Sequence, residues 1–357
     1  MKEKVLVAMS GGVDSSAAAA LLTRAGYDCA GVTLKLFHSA TACLPAENGC
    51  CSLAAAADAR AAAGALGIPH YVFNFTALFE QQVIKPFVRA YAAGLTPNPC
   101  IDCNRRVKFP RLWQRAREIG ASFIATGHYA AVSRDGGSGR YLLRKAADRR
   151  KDQSYVLYAL TQEELAHTLF PLGGLTKKET RRLAAENRLP NANKRESQDI
   201  CFVPDGDYAA FIEKYSGAVS PPGDFIGPDG VRLGRHRGIV RYTVGQRRGL
   251  GIAWREPLYV CAKDAAANTV RLGVAADLRR KELTVGEVNF IAVERLERPR
   301  RAEVKLRYSQ ETFPAVVEQT GADTARVVFD APQAAAAPGQ AAVFYEDDIV
   351  IGGGTIL

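Results

Sequence analysis

Apolar and polar residues fall into alternating blocks along the first half of the chain. KVLVAMS (Lys4–Ser10) is a compact apolar run suited to a buried strand, and SSAAAALLTRAG (Ser15–Gly26) is an Ala/Leu helix with Gly26 as its stop. The alternation then repeats. CAGVTLKLF (Cys29–Phe37) reads as a strand, SLAAAADARAAAGALG (Ser52–Gly67) as a helix whose Asp and Arg suit an exposed face, and HYVFNF (His70–Phe75) as a strand. Helices over Lys85–Ala93 and around Arg111–Gly120 precede the strand FIATGHY (Phe123–Tyr129). Strands alternating with helices predict an α/β domain built on a parallel sheet.

After Pro204 the texture changes. GDFIGPDGVRLGRHRG (Gly223–Gly238) is dense in turn residues, and the segments that follow are short and β-like. From about Glu282, LTVGEVNFIAV, RAEVKLRY, TARVVFDA and AAVFYEDDIVIGGG read as successive antiparallel strands of a small barrel or sandwich. The expected organisation is an α/β domain over 1–203, a small central domain over 204–280 and an antiparallel β-barrel over 281–357.

Composition narrows the class. A chain of 357 residues, 47% apolar and 24% charged, folds into two or three domains and is not disordered. It holds no run of about 18 apolar residues, so no membrane span or membrane partner is expected. MKEKVLVAMSGG resembles the start of a signal peptide, but its apolar run enters a glycine turn and reads as a first strand. Eight cysteines without a secretory signal point to a reducing compartment, the cytoplasm, where cysteine pairs are catalytic or metal-binding more often than structural. The net charge of +10 is clustered: seven basic residues and two acids between Arg134 and Lys151, then seven arginines and no acid between Arg232 and Arg255. One such cluster is an ordinary solvated face. Two, with RLERPRRAEVKLRY (Arg295–Tyr308) besides, point to a polyanionic partner.

Two places carry candidate chemistry. AMSGGVDSS (Ala8–Ser16) joins the first strand to the first helix. Two glycines leave backbone N–H groups open, and the helix start adds its own amides and dipole, which suits a phosphate. Asp14 could hold Mg2+ or orient the loop. The segment matches neither GxxxxGK[ST] nor GxGxxG, and an ordinary serine-capped turn would use the same residues. The second place is NPCIDCN (Asn98–Asn104), where Cys100 and Cys103 are followed by Arg105, Arg106 and Lys108. Positive neighbours favour the thiolate. Cys201, in ESQDICFV, reads on its own as core filler, as do Cys29 and Cys261. Cys43 has no assignment; Cys50 and Cys51 are adjacent and read as structural or local.

SGGVDS resembles the pyrophosphate loop of the N-type ATP pyrophosphatases, which cleave ATP between the α and β phosphates. NPCIDCNRRVKF, TGHY (Thr126–Tyr129), KDQSYVL (Lys151–Leu157), ESQDICF (Glu196–Phe202) and YTVGQRRGLGI (Tyr242–Ile252) follow in the order found in bacterial tRNA-specific 2-thiouridylases, a resemblance that covers almost the whole chain. It implies an ATP pyrophosphatase catalytic domain, a central tRNA-binding domain and a C-terminal barrel, with ATP and Mg2+ as cofactors. It further implies that the C2 oxygen of the wobble uridine in a tRNA anticodon is adenylated and then displaced by sulfur. Cys201 would carry a persulfide from a sulfur-relay or cysteine desulfurase donor, and Cys103 would resolve it, leaving a Cys103–Cys201 disulfide. ATP would meet Ala8, Met9, Ser10, Gly11, Gly12, Val13, Asp14, Ser15, Leu34 and Gly127. The target base and tRNA would meet Asn98, Pro99, Cys100, His128, Lys151, Asp152, Gln153, Arg307, Tyr308 and Gln340. A flipped-out base is needed for the cysteines to reach C2, and Tyr308 or Trp254 could stack on bases.

Many relatives carry Asp where this chain has Cys100. Cysteine cannot replace a carboxylate at neutral pH, and Cys100, Cys103 and Cys201 would instead suit three corners of an iron–sulfur (4Fe-4S) cluster. A zinc site would need a fourth ligand that has no candidate. Two other classes share features: an amidating synthetase with the same loop, and a non-catalytic RNA-binding protein with a metal clip and a degenerate loop.

Overall fold

The computed structural model describes residues 2–37, 53–194, 200–203, 206–334 and 336–357. The chain forms two compact units. The first comprises Met1–Val83, Cys100–Gly206 and Asp348–Val350, and the second Ile84–Pro99, Asp207–Asp347 and Ile351–Leu357.

The first unit is built on a parallel sheet. Strand β1 (Lys4–Ala8) is covered on both faces, with Val5, Leu6 and Val7 fully buried, which is why it reads as a continuous apolar run. Helix α1 (Val13–Arg24) follows, and its buried Ala17–Ala20 let it lie close to the sheet. Strand β2 (Asp28–Lys35), helix α2 (Leu53–Ala65) and strand β3 (His70–Asn74) repeat the pattern. Helix α3 (Phe109–Glu118) leads to β4 (Phe123–Ala125). The antiparallel hairpin β5 (Ala130–Arg134) and β6 (Tyr141–Lys145) comes next, then β7 (Thr168–Leu169) and helix α4 (Lys177–Glu186). The five-stranded sheet runs β3-β2-β1-β4-β7, every pair parallel. Ile349 pairs with Arg144 of β6, and Asp348 forms an ion pair with the Arg144 guanidinium at 2.9 Å.

Two expectations are refined here. FIATGHY reads as one strand in the sequence, but pairing ends at Ala125, and the Thr126 hydroxyl turns back to His128 Nδ1 at 2.7 Å. The helix expected from Lys85 is the end of a longer helical run: Thr76–Phe79, a π-helical stretch Glu80–Ile84, then Lys85–Ala92.

In the second unit a helix, Tyr208–Ser216, stands where the sequence predicts only turns and short strands; Asp207 caps it by accepting from Ala210 N at 2.9 Å. Strands β8 (Gly223–Ile226), β9 (Arg232–His236), β10 (Tyr259–Asp264) and β11 (Thr269–Gly273) form a sheet in the order β10-β11-β8-β9. The C-terminal strands are β12 (Arg279–Phe290), β13 (Arg300–Lys305), β14 (Phe313–Gln319), β15 (Ala325–Ala334), β16 (Ala341–Glu346) and β17 (Ile349–Ile356). They run β12-β15-β14-β13-β16-β17 and close through β12–β17 into the expected antiparallel barrel. Val285, Val304, Val327, Phe329 and Phe344 lie in its core. AAVFYEDDIVIGGG is two strands, because Asp347 adopts φ 54° and turns the chain back.

Candidate active site

In an open parallel sheet, ligands sit beyond the carboxyl ends of the strands where the strand order reverses. Here β2 and β3 lie on one side of β1, and β4 and β7 on the other. The crevice therefore falls between the loop after β1 and the loop after β4. Ala8, Met9, Ser10, Gly11 and Gly12 lead from β1 into α1, which opens with Val13, Asp14 and Ser15. Leu34 is buried in β2, and Gly127 and His128 follow β4.

Gly11 turns at φ 74°, a conformation that favours glycine. Gly12 is the N-cap of α1, and no side chain caps the helix. The first amides of α1 therefore have no intrahelical acceptor, and their N–H groups and the positive dipole end face the crevice. Gly127 closes the other wall. A Cβ there would lie 2.6 Å from Ser15 N and 2.8 Å from the Asp14 carbonyl carbon. The Ser15 hydroxyl accepts from Ser10 N at 3.1 Å and donates to the Gly12 carbonyl at 3.1 Å. Ser16 donates to the same carbonyl at 3.2 Å.

Asp14 is held in an ion pair. The Lys177 ammonium donates to its two carboxylate oxygens at 2.7 and 2.8 Å, and the Tyr129 hydroxyl donates to Oδ1 at 3.0 Å. Lys177 opens α4, whose start is fixed by a capping box between Thr176 and Glu179. On the carbonyl side of the loop, Asn191 Nδ2 lies 3.1 Å from Gly11 O, 3.3 Å from Gly12 O and 2.9 Å from Ser16 Oγ. Asn191 is only 5% exposed, and its Oδ1 has no hydrogen-bond partner among the described residues. Sequence reasoning missed Lys177, Tyr129 and Asn191. The capping residues around Lys177 are legible, but its bond to Asp14 spans 163 positions.

The cysteine segment is one helical run: Pro99–Asp102, the wider π-helical turn Cys103–Lys108, then α3. Cys100 is exposed and Cys103 buried. The Asn104 amide is anchored to the Val156 carbonyl at 2.9 Å. Asp102 takes both Arg105 and Arg106 at 3.3 Å, so the basic run expected to draw out a thiolate is partly neutralised. Cys201, half-exposed, sits in a turn closed by Val203 N donating to Ile200 O at 2.9 Å. Its neighbour Phe202 is buried edge-on against Phe79, ring centres 5.7 Å apart, and the Thr76–Phe79 helix packs on the segment that Cys103 opens. Glu196–Asp199, Pro204, Cys43, Cys50 and Cys51 lie outside the described residues. Cys29 and Cys261 are buried, and burial pushes both thiols above their ordinary pKa.

The cluster alternative does not fit. Among the described residues no three His, Cys, Asp or Glu side chains gather as a metal site, so Cys100, Cys103 and Cys201 do not form a three-cornered cradle. Cys100 stands at the surface while Cys103 is turned into the core.

His128 is packed against Phe109 at 5.8 Å and Phe170 at 6.1 Å. Burial, then the positive charge of Lys108, holds its pKa well below the ordinary imidazole value, so the ring is neutral. Asp152 is buried, its oxygens accepting from Ala146 N at 2.9 Å and the Ser154 hydroxyl at 2.7 Å. Gln153 accepts from Tyr129 N through Oε1 at 2.9 Å and so carries the loop after β4; Lys151 beside it is half-exposed.

In the second unit Asn98 is half-exposed and Pro99 buried. Arg307 donates to the Val244 carbonyl at 2.8 Å. Tyr308 is 43% exposed, with the Lys305 ammonium 5.7 Å from its ring centre. Gln340 is half-buried, its carbonyl accepting from Ile356 N at 2.8 Å.

An uncapped helix start at a parallel-sheet switch point marks an α/β protein whose loop after β1 suits a phosphate. In agreement, residues 3–205 match the family model described as the tRNA methyl transferase HUP domain. Residues 209–274 match its PRC-barrel domain, and 280–356 the aminomethyltransferase beta-barrel domain. A tRNA-specific 2-thiouridylase MnmA of Clostridioides difficile is 48% identical over 356 residues, covering 100% of this chain and 98% of that protein. Its namesake in Acetivibrio thermocellus is 49% identical, covering 99% of each. That of Heliobacterium modesticaldum is 50% identical, covering 100% of this chain and 93% of its own length. The chain belongs to the tRNA-specific 2-thiouridylase family.

Proposed function

We propose that this protein is an ATP-dependent tRNA-uridine 2-sulfurtransferase acting on the wobble uridine of the anticodon. The observation that carries the reading is end-to-end identity of nearly half with relatives of that name, in a chain whose phosphate-suited loop and two motif cysteines belong to one folded unit.

A uridine C2 carbonyl is a poor electrophile, because its oxygen would have to leave as oxide or water. Attack of that oxygen on the α-phosphorus of ATP expels pyrophosphate and turns the oxygen into part of an AMP leaving group. The amides at the start of α1 would stabilise the departing pyrophosphate. Mg2+ would be carried mainly by phosphate oxygens and water, since the described residues gather no three-ligand cation site; Asp14 is the carboxylate the loop offers.

The terminal sulfur of a Cys201 persulfide then attacks C2, and AMP leaves. The Cys103 thiolate attacks Cys201 Sγ and breaks the S–S bond. The electron pair passes to the sulfur left on C2, giving 2-thiouridine and a Cys103–Cys201 disulfide. A dithiol reductant reopens the disulfide, and a cysteine desulfurase or sulfur-relay protein reloads Cys201. His128, neutral and anchored to Thr126, would line the base site, and Lys151, Arg307, Tyr308 and Gln340 would meet tRNA, with Asp152 and Gln153 shaping the loop that presents Lys151. The target base must leave its stack.

Two measurements test this. Unmodified tRNA should stimulate AMP and pyrophosphate formation from ATP; no tRNA-dependent AMP would remove the reading. Cys201→Ser should lower thiolation from a persulfide donor by at least about 1000-fold, as loss of a covalent nucleophile does, while tRNA-dependent release of pyrophosphate, which precedes sulfur attack, persists.

A further inference from the structure

In the second unit, the short arm that ends in Asn98 and Pro99 is anchored at its root. The helix Lys85–Ala92 stops at Gly94, which turns at φ 80° while Leu95 N donates to Ala90 O at 2.8 Å. The next two backbone groups find partners outside the helix. Leu95 O accepts from the Lys263 ammonium at 3.4 Å, and Thr96 N donates to Pro338 O at 2.8 Å. Gly339 packs on the same spot, where a Cβ would lie 2.9 Å from Thr96 N. Beyond it, Pro97 and Pro99 stiffen the chain on either side of Asn98. Asn98 is thus carried on a stiff arm whose root is set partly by Lys263.

Lys263, in β10, is a costly residue for a packing role. Its ammonium also donates to Tyr242 O at 2.9 Å and stands 5.7 Å from the centre of the Tyr91 ring. Burial lowers its pKa to about 8, and no carboxylate among the described residues forms an ion pair with it. A buried cation without a counterion lowers stability, so packing alone would favour an apolar side chain here. What the cation adds is a hold on two carbonyls, and one of them roots the arm.

We propose that Lys263 is a positioning residue for sulfur transfer, fixing the arm over residues 95–99 so that Asn98 meets the target uridine in one geometry. The proposal deepens the sulfurtransferase reading above and rests on it. The arm runs without a break into the helical turns that carry Cys100 and Cys103. An arm that wanders leaves an adenylated base poorly placed for sulfur. Water then attacks C2 instead, AMP leaves and uridine is re-formed. Pyrophosphate has been released, but no 2-thiouridine is made.

The test counts pyrophosphate and 2-thiouridine in one reaction. Wild type, Lys263→Met and Lys263→Arg are given unmodified tRNA, ATP, a dithiol reductant, and a cysteine desulfurase with cysteine as sulfur source. In Lys263→Met the saturated thiolation rate should fall by at least about tenfold, since a misplacement of about 1 Å can cost about 100-fold. The tRNA concentration for half-maximal rate should stay within about threefold of wild type, while pyrophosphate released per 2-thiouridine rises at least about threefold. Lys263→Arg, which keeps a cation for the two carbonyls, should recover part of both the rate and the ratio. A simple loss of folded protein lowers both products in proportion and leaves their ratio where it was. A Lys263→Met rate close to wild type, or a slower rate with the ratio unchanged, would therefore overturn the proposal. If Lys263→Met fails to fold, Pro97→Gly decides, because it loosens the arm without touching its root. It should raise the same ratio, and an unchanged ratio there also overturns the proposal. Wild type that makes no 2-thiouridine would instead refute the sulfurtransferase reading itself.

Discussion

His128 shows how one residue's environment decides its chemistry. It follows the pairing end of β4, bonded to Thr126 and packed between Phe109 and Phe170. With its folded pKa well below 6.5, the folded chain refuses a proton that the unfolded chain accepts. Stability is therefore unaffected by this group above about pH 6.5, falls as pH drops below it, and levels off only below the depressed folded value. Urea unfolding at pH 7, 6 and 5 should show a shallower decline in His128→Gln than in wild type, by at most about 1.4 kcal/mol per pH unit. A residual slope is expected, because burial also lowers the pKa of His70 and His236. Identical slopes in the two proteins would mean that His128 is solvated in solution. At this scale the sequence is informative wherever a residue acts through its own neighbours, as Gly11 and Gly12 do in the turn. It is silent on Lys177 and Asn191, whose roles exist only through partners 163 and 180 positions away.

At the scale of elements, the loop after β1 is bracketed by both ends of one later segment. Lys177 at the start of α4 holds Asp14, and Asn191, just past its end, meets the carbonyls of Gly11 and Gly12. With the carbonyls held on one side, the loop's amides are directed to the other, so the bracket fixes which face meets a ligand. Asn191→Ala would take from the buried Gly11 carbonyl its Asn191 donor, a loss of about 1–3 kcal/mol, while the Gly12 carbonyl keeps the Ser15 and Ser16 hydroxyls. The loss should appear as a lower urea midpoint with weaker ATP binding. Unchanged ATP affinity beside lowered stability would limit Asn191 to a packing role. The parallel sheet is legible because its strands are buried on both faces and its helices carry alanine stripes. The Tyr208–Ser216 helix and β14 are not: a short amphipathic helix beside turn residues has no distinct period, and FPAVVEQ carries at its second position a proline that argues against a strand. Pro314 lies next to the strand's start, where β14 pairs with β13 alone; its pairing with β15 begins at Ala315. The barrel's last hairpin reads as one strand in the sequence, since its turn is two aspartates, one of them left-handed, with no glycine to mark it.

For the whole molecule the governing quantity is charge. The excess of +10 is concentrated in stretches that the fold leaves open: Arg232, Arg235, Arg237, Arg247, Arg248 and Arg255 are all exposed. Arg232 is paired with Asp224 at 2.9 Å and Arg255 lies 3.8 Å from Glu256, so their charge is partly spent within the protein. Arg247 and Arg248 stand side by side in a stretch from Arg232 to Arg255 that contains no acid. An arginine that neutralises a phosphate releases a condensed counterion, and each such pairing steepens the fall of affinity with salt. If this face meets the tRNA backbone, Arg247→Ala with Arg248→Ala should weaken tRNA binding at every sequence tested. The slope of log K against log salt should become less negative by about 2, one for each phosphate that is no longer neutralised. Neither side chain belongs to the unit that carries the loop and the two motif cysteines. The rate of thiolation at saturating tRNA should therefore hold while the tRNA concentration for half-maximal rate rises. Filter binding across a range of salt concentrations, paired with saturation kinetics, separates the two effects. An unchanged salt slope would place the polyanion surface elsewhere, and a fall in the saturated rate would mean that these arginines also orient the anticodon.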